Sequence, residues 1–368
     1  MPVPDRVRPP RVTVRVDLEA HLRRQGAACA DIGSPVYGAL LDFAADDYAV
    51  GGIVARLFDG WTLDPGPAVA ALRMLGTVHR IALAGQAPEL ARFYPSVAGV
   101  DVEPFDPGAA WVAFRDVLTS RFADVQAGLA SPPQTNEVGR SALLIGGLQV
   151  LRARFDRPVR LVEVGASAGL NLRPDLVRIE LPNWHSVGPA FSPVTLYDPW
   201  HGALPPLELP VEIVSRYGSD LDPVDPLSAV GRLRLLSYVW PDQPARINRL
   251  RGAFDLAASV PVPVVREGAV ETVGALKPVD GAATVVWHSV MAQYLPAAEQ
   301  AALDAAFDVL GAQATPDAPV ARLAFEAHRF PSPAGVLFGL SLQTWPGGDL
   351  TRLASAHPHG DTVTWHRS

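Results

Sequence analysis

The segment Arg160–Asn171, RLVEVGASAGLN, places a carboxylate, a hydroxyl and three small residues within one short stretch. Leu161, Val162 and Val164 read as a short buried strand, with Glu163 inside it. Gly165, Ser167 and Gly169 alternate after it, and the apolar run that resumes near 169–174 predicts a helix. A strand, a small-residue turn and a helix N-terminus make a site for a nucleotide-like ligand, because free N–H groups and close backbone approach coincide there. The same residues admit a second chemistry. Gly165–Gly169 reads G-x-S-x-G, the nucleophile elbow of a serine hydrolase, with Ser167 as the attacking group. Burying Glu163 among apolar neighbours is costly unless something satisfies it, which favours a ligand at this turn.

Other polar groups fall where such a sheet would bring them to the same end. Asp220 and Asp222 follow an expected strand at 211–216, where a carboxylate accepts ribose hydroxyls in nucleotide-binding sheets. Their distance from the glycine turn exceeds the usual spacing of about 20 residues. An inserted Pro- and Trp-rich hairpin at 177–208 accounts for the excess and leaves open which aspartate meets the ribose. Glu267 follows the next expected strand and reads as a solvated loop charge. In VVWHSVMAQYL (285–295), His288 and Ser289 end a strand, and Gln293 and Tyr294 open the following helix. His288 is a candidate general base, since free imidazole titrates near pH ~6.5; His288 and Tyr294 are expected to face the acceptor of the reaction. Gln134, Asn136, Glu137 and Arg140 cluster at the start of a helix expected over 135–154. Spacing puts Asn136 and Arg140 on one face, and Arg140 suits bidentate pairing with a carboxylate. His357 and His359 share a strand face without a further ligand nearby, so no metal is expected.

Composition narrows the classes. The net charge of −7 argues against a nucleic-acid partner. Lys277 is the sole lysine, no G-x-x-x-x-G-K exists, and P-loop chemistry is excluded. One cysteine, Cys29, permits neither an intramolecular disulfide nor a cysteine-rich zinc site. No apolar run approaches the roughly 20 residues of a membrane span, and no signal core opens the chain, so a cytoplasmic location without membrane contact is expected.

The elements that must position these groups fall into two textures. From 17 to 130 the periodicity is helical, with segments near 17–29, 35–48, 67–83 and 107–128 and no strand. After 131, strands are expected at 160–165, 177–181, 193–197, 211–216, 262–266, 283–288, 320–327, 336–344 and 350–356. Helices near 227–239, 243–258 and 296–310 separate several of them. This alternation predicts a largely parallel sheet with helices on both faces, ended by a hairpin at the WPGGD turn (345–349). The domains expected are a helical region over 1–130, covering the cleft, and a cofactor-binding domain over 131–368.

In order along nearly the whole chain stand QTNEVGRSALL (134–144), LVEVGASAGLN (161–171), GSDLDPVDP (218–226), LLSYVWPDQ (235–243), VVWHSVMAQYL (285–295) and ASAHPHG (354–360). With these phrases the sequence resembles an uncharacterised bacterial family, domain of unknown function 2332. The second half also resembles class I S-adenosylmethionine-dependent methyltransferases, whose first motif reads E-x-G-x-[GS]-x-G. That resemblance implies an α/β, Rossmann-like, seven-stranded sheet whose last strand is antiparallel. It implies S-adenosylmethionine as cofactor, with Glu163 toward the methionine amino group. It also implies that Gly165, Ser167 and Gly169 lie against the cofactor, that Asp220 or Asp222 meets the ribose, and that Asn136 and Arg140 lie over it.

A hydrolase would need an oxyanion segment upstream of Ser167 and an Asp then a His downstream. The upstream region is helical, and Asp304 with His328 or His357 has no motif around it. A nicotinamide oxidoreductase would carry its glycine turn near the start of its domain. The expectation is therefore methyl transfer to a small molecule. A serine hydrolase using Ser167 and a non-catalytic cofactor-binding protein are the alternatives.

Overall fold

Helices in the first part of the chain begin where the sequence supplies a cap. In the computed structural model, which describes residues 17–366 except 67, 183–184, 208–209 and 331–336, Asp17 accepts the Ala20 N–H ahead of α1 (Leu18–Asp31). Ser34 caps α2 (Pro35–Ala49), whose first residue is a proline with no N–H to leave unpaired. Then follow α3 (Ile53–Leu57), α4 (Ala70–Leu83), α5 (Pro88–Ala91), α6 (Pro95–Ala98), α7 (Pro107–Ser120) and α8 (Phe122–Gly128). Among the described residues this stretch holds no strand, as its periodicity requires. Gly and Pro divide it more finely than expected, adding α3, α5 and α6 and splitting 107–128 in two.

The chain forms two compact units. The first runs to Pro133 and takes back Trp240–Asp242; the second holds Gln134–Val239 and the chain from Gln243 onward. Leu22, Leu40, Leu41, Met74, Leu75, Phe114 and Leu118 centre the first core, and Trp240 is buried with them. Asp242 accepts the Ser34 hydroxyl at 2.6 Å and the Val36 N–H at 3.0 Å, fixing the start of α2.

The second unit opens with α9 (Ser141–Phe155) and β1 (Val159–Val164). Next come β2 (Arg178–Glu180), β3 (Ser186–Val187), β4 (Thr195–Tyr197) and β5 (Trp200–Gly202). They lead to β6 (Ile213–Asp220), α10 (Ala229–Ser237), α11 (Pro244–Ser259), β7 (Val264–Arg266), α12 (Ala269–Ala275) and β8 (Ala283–Ser289). The unit closes with α13 (Ala297–Gly311), β9 (Val320–Phe330), β10 (Leu337–Trp345), β11 (Asp349–Ala356) and β12 (Val363–Trp365). Nine strands make one sheet in the order β5-β12-β11-β10-β9-β8-β1-β6-β7. β1 runs parallel to β6 and β8, β6 to β7, and β8 to β9, as helix-separated strands require. α9 and α11 share a core with one face of the sheet, while α12 and α13 share another with the opposite face. The architecture is thus mixed α/β, with N-terminal helices and a large, mostly parallel sheet.

Three particulars differ from expectation. The sheet has nine strands rather than seven, because the short β12 and β5 extend its edge beyond β11. Among the long strands the one opposed to the parallel block is β10, which pairs antiparallel with both β9 and β11; the short β12 and β5 at the edge also run against the block. The last long strand, β11, therefore runs with the block instead of against it. Finally, no α-helix follows β1. Leu170–Leu172 and Pro174–Leu176 are single 3-10 turns, because Pro174 lacks the N–H a helix would need and holds Arg173 out of the helical region (φ −125°). Residues 177–208 carry a three-stranded sheet, β3-β2-β4, before β5 joins the main sheet.

Trp200 anchors that return. It is 3 % exposed, pairs with Val363, and donates its indole N–H to the Ala142 carbonyl of α9 at 3.2 Å. Trp200→Ala should destabilise the second unit by about 3–5 kcal/mol, read from denaturant unfolding; Trp200→Phe should lose only about 1 kcal/mol, the hydrogen bond alone.

Candidate functional site

The glycine turn depends on backbone freedom at three points. Gly165, Ser167 and Gly169 all have positive φ, at 68°, 54° and 66°. The turn is held from two sides. Asp220, ending β6, accepts the Ser167 N–H and the Asp222 N–H at 2.8 Å each. The Asn136 side-chain oxygen accepts the N–H groups of Ala168 at 3.2 Å and Leu170 at 2.8 Å. Gln134 accepts the Ser167 hydroxyl at 2.8 Å and donates to the Asp222 carbonyl at 3.1 Å. Asp222 itself pairs with Arg234 at 2.8 Å and Arg266 at 3.0 Å, which hold its carboxyl below the usual range. Glu267 accepts the Thr272 hydroxyl and donates its N–H to the Asp220 carbonyl.

Because Asn136 spends its side chain on the turn, the expected helix start moves. Glu137 is extended, Val138–Arg140 is a 3-10 turn, and α9 begins at Ser141. Asn136 and Arg140 are therefore not stacked on one α-helical face. Glu137 accepts from Arg246 at 2.6 Å and lies 3.6 Å from Arg249. Burial pushes its carboxyl up, but these two arginines and His359 outweigh it and bring it to about 2.

Glu163 has no such compensation. It is 2 % exposed, and its Oε2 has no hydrogen-bond partner. Burial pushes its carboxyl up to about 8, against the weaker opposing effects of Arg140 and Asn171. Asn171 also accepts the Ser141 hydroxyl at 3.0 Å. Arg140, buried too, donates to the carbonyls of Pro358 at 2.9 Å and Ser289 at 3.3 Å, and to the Ser289 hydroxyl at 3.3 Å. Burial pulls the guanidinium's pKa down against the weaker effects of Glu137 and Glu326, whose carboxylates pair with Arg246 and His288 rather than with it.

His288 is 1 % exposed, and both ring nitrogens are engaged. Nε2 accepts from Arg322 at 3.0 Å, so Nδ1 carries the proton it shares with Glu326 at 2.7 Å. Arg322 reaches on to Asp304 at 2.7 Å. In this arrangement His288 has no free lone pair for a general base. Its network instead shapes the chain after β8. Glu326 accepts the N–H groups of Met291 and Ala292, both at 3.2 Å. These bonds hold Val290 at φ 55°, a strained conformation for a β-branched residue. Met291 then lies on the turn, 3.0 Å from where a Cβ on Gly165 would be. Tyr294, on the same segment, is exposed.

Ser167 is buried and donates its hydroxyl hydrogen to an amide oxygen rather than to an imidazole. Asp304 is tied to Arg322, and the side chain of His328 lies outside the described residues. Sequence reasoning missed Asn171, Met291, Arg322 and Glu326. Glu326 carries the same signal as Glu163, a carboxylate inside an apolar strand. Among the described residues no group of three His, Cys, Asp or Glu side chains is placed for a metal, and no helix is long and apolar enough to cross a membrane.

A bacterial family described as uncharacterised conserved proteins, domain of unknown function 2332, matches residues 19–365. The chain belongs to this family. Its match spans the glycine turn, the Asn136–Arg140 segment and the β8–β9 network alike, so all of them lie within the family's region. No curated protein and no solved structure matches the chain.

The raised Glu163 pKa has a signed consequence. A carboxyl near 4.3 in the unfolded chain and about 8 when folded stabilises the fold fully only below pH ~4.3, and that contribution is lost as pH rises through 8. Glu163→Gln should therefore melt progressively higher than the wild type between pH 5 and pH 8.5, by several degrees (~5 °C) at the upper end. Equal melting curves at both pH values would show that Glu163 is not held protonated.

Proposed function

We propose that the second unit binds S-adenosylmethionine by its amino-acid end and that the protein transfers a methyl group to a small molecule. The observation that carries this reading is the pair Glu163 and Arg140: a buried carboxyl with an unpartnered oxygen and a buried guanidinium that, among the described residues, forms no ion pair with a carboxylate. An ammonium suits the first and a carboxylate the second, and an α-amino acid presents both. The parallel order of β7, β6, β1, β8 and β9 supports a ligand at this end, where open α/β sheets bind them. The turn also argues against a dinucleotide. Its N–H groups at Ser167, Ala168 and Leu170 are already taken by Asp220 and Asn136, leaving fewer donors for a pyrophosphate.

When bound, the cofactor supplies a methyl group already activated on a sulfonium. The residues then have to bind, orient and exclude water. Glu163 would give up its proton to meet the ammonium, and Arg140 would take the carboxylate while keeping its bonds to Ser289 and Pro358. Met291, unbranched and flexible, is the side chain that turns aside from Gly165. His288 holds the loop through Glu326, which leaves Tyr294 as the residue toward the acceptor.

Titration calorimetry with S-adenosylhomocysteine tests this. Binding should release a proton from Glu163, seen as heat that varies with buffer ionisation enthalpy, and affinity should rise up to about tenfold per pH unit below pH 8. Glu163→Gln should abolish the proton release, and Arg140→Met should weaken binding about 10- to 100-fold. No heat at millimolar ligand rejects the cofactor, and stoichiometric fluorophosphonate labelling of Ser167 would replace it with acyl chemistry.

A further inference from the structure

Trp287 is the bulkiest of the fully buried side chains, and its indole N–H has no hydrogen-bond partner. An indole is a donor only, so nothing but an acceptor atom can satisfy it. Its place in the sheet is specific. β1 and β8 are adjacent parallel strands, and Glu163 is directly paired with Trp287. Paired residues of neighbouring strands project from the same face, so the side chains that carry the unpartnered Glu163 Oε2 and Trp287 Nε1 are neighbours on one face of the sheet. Two residues further along β8 on that face is Ser289, to which Arg140 donates.

We propose that Trp287 is a further binding residue of this site, donating its N–H to the carboxylate of a zwitterionic amino-acid end whose ammonium meets Glu163. The inference rests on the reading above and extends it to the recognition of that carboxylate. A water molecule between Trp287 and Glu163 would satisfy both but give Arg140 no carboxylate to pair with. A phosphate would answer Arg140 and Trp287 and oppose Glu163. A simple amine would answer Glu163 alone. A carboxylate next to an ammonium satisfies all three. The site thereby selects ligands that keep the intact amino-acid end and discriminates against those that lack it.

The test compares S-adenosylhomocysteine with 5′-methylthioadenosine, which shares the adenosine and lacks the amino acid, by calorimetry on the wild type and Trp287→Phe. The variant should bind S-adenosylhomocysteine about tenfold or more weakly, as expected for a lost hydrogen bond to a charged group, and bind methylthioadenosine as the wild type does. A second measurement does not need the variant to fold. In wild-type protein carrying ¹⁵N-labelled tryptophan, one of the indole N–H resonances should move downfield with S-adenosylhomocysteine and not with methylthioadenosine. Equal weakening toward both ligands, or indole resonances unmoved by a ligand that does bind, would overturn the role of Trp287 and leave the cofactor reading standing. Failure of the wild type to bind either ligand would overturn that reading, and this inference with it.

Discussion

The site is organised by the need to satisfy the backbone of one turn. Positive φ at Gly165, Ser167 and Gly169 takes the turn out of the helix and sheet ladders, so the N–H groups of Ser167, Ala168 and Leu170 must find side chains. Asp220 and Asn136 provide them, one from the strand beside β1 and one from the segment before α9. This clamp ends the helix that would otherwise run back to Asn136, and it aligns β6 with β1 at the level of Ser167. It also brings Glu163, two residues before Gly165, to a fixed depth in the sheet. A turn satisfied in this way presents a shaped surface rather than a set of free donors. Recognition of a ligand then falls to the charged side chains beside it.

Those side chains divide into two kinds of buried ion. Glu137 sits between Arg246 and Arg249, and its charge is matched within the protein. The Asp304–Arg322–His288–Glu326 chain is matched as well, ending on the two backbone N–H groups of the loop after β8. Such closed networks fix position. Glu163 and Arg140 are of the other kind, buried without an ion pair among the described residues. Leaving ionisable groups in that state costs stability unless the charge is given up or matched by something that binds. The difference between the two kinds is what separates scaffold from site in this unit.

Much of the second unit was legible in the sequence because its strands are apolar runs bounded by turn residues. Each of the nine expected strands has a counterpart, and the crossovers between β1, β6, β7 and β8 dictated their parallel order. What could not be read were elements defined by distant partners. β3, β5 and β12 are two or three residues long and exist only through their pairing. Pro174 was visible, but its veto on the helix after β1 was outweighed by the expected strand–turn–helix pattern. At the site, the buried charge of Glu163 could be anticipated from its apolar neighbours alone. His288 could not be assigned, because its role is set by Arg322 and Glu326 on the next strand, which occupy both ring nitrogens. Trp287 reads in the sequence as one more core aromatic, and only its register with Glu163 distinguishes it.

The return of Trp240–Asp242 to the first unit bears on how the chain acquires its shape during synthesis. The helices up to α8 leave the ribosome long before Trp240 and Asp242. Yet the indole belongs to their core, and the carboxylate fixes the first turn of α2. The N-terminal unit therefore stays incomplete until more than a hundred further residues have been made, by which time β1 and β6 have also emerged. Sequential, domain-by-domain folding from the N-terminus is thus replaced by a common waiting point near residue 242. A chain cut at Pro133 would carry the helices without the residues that close them.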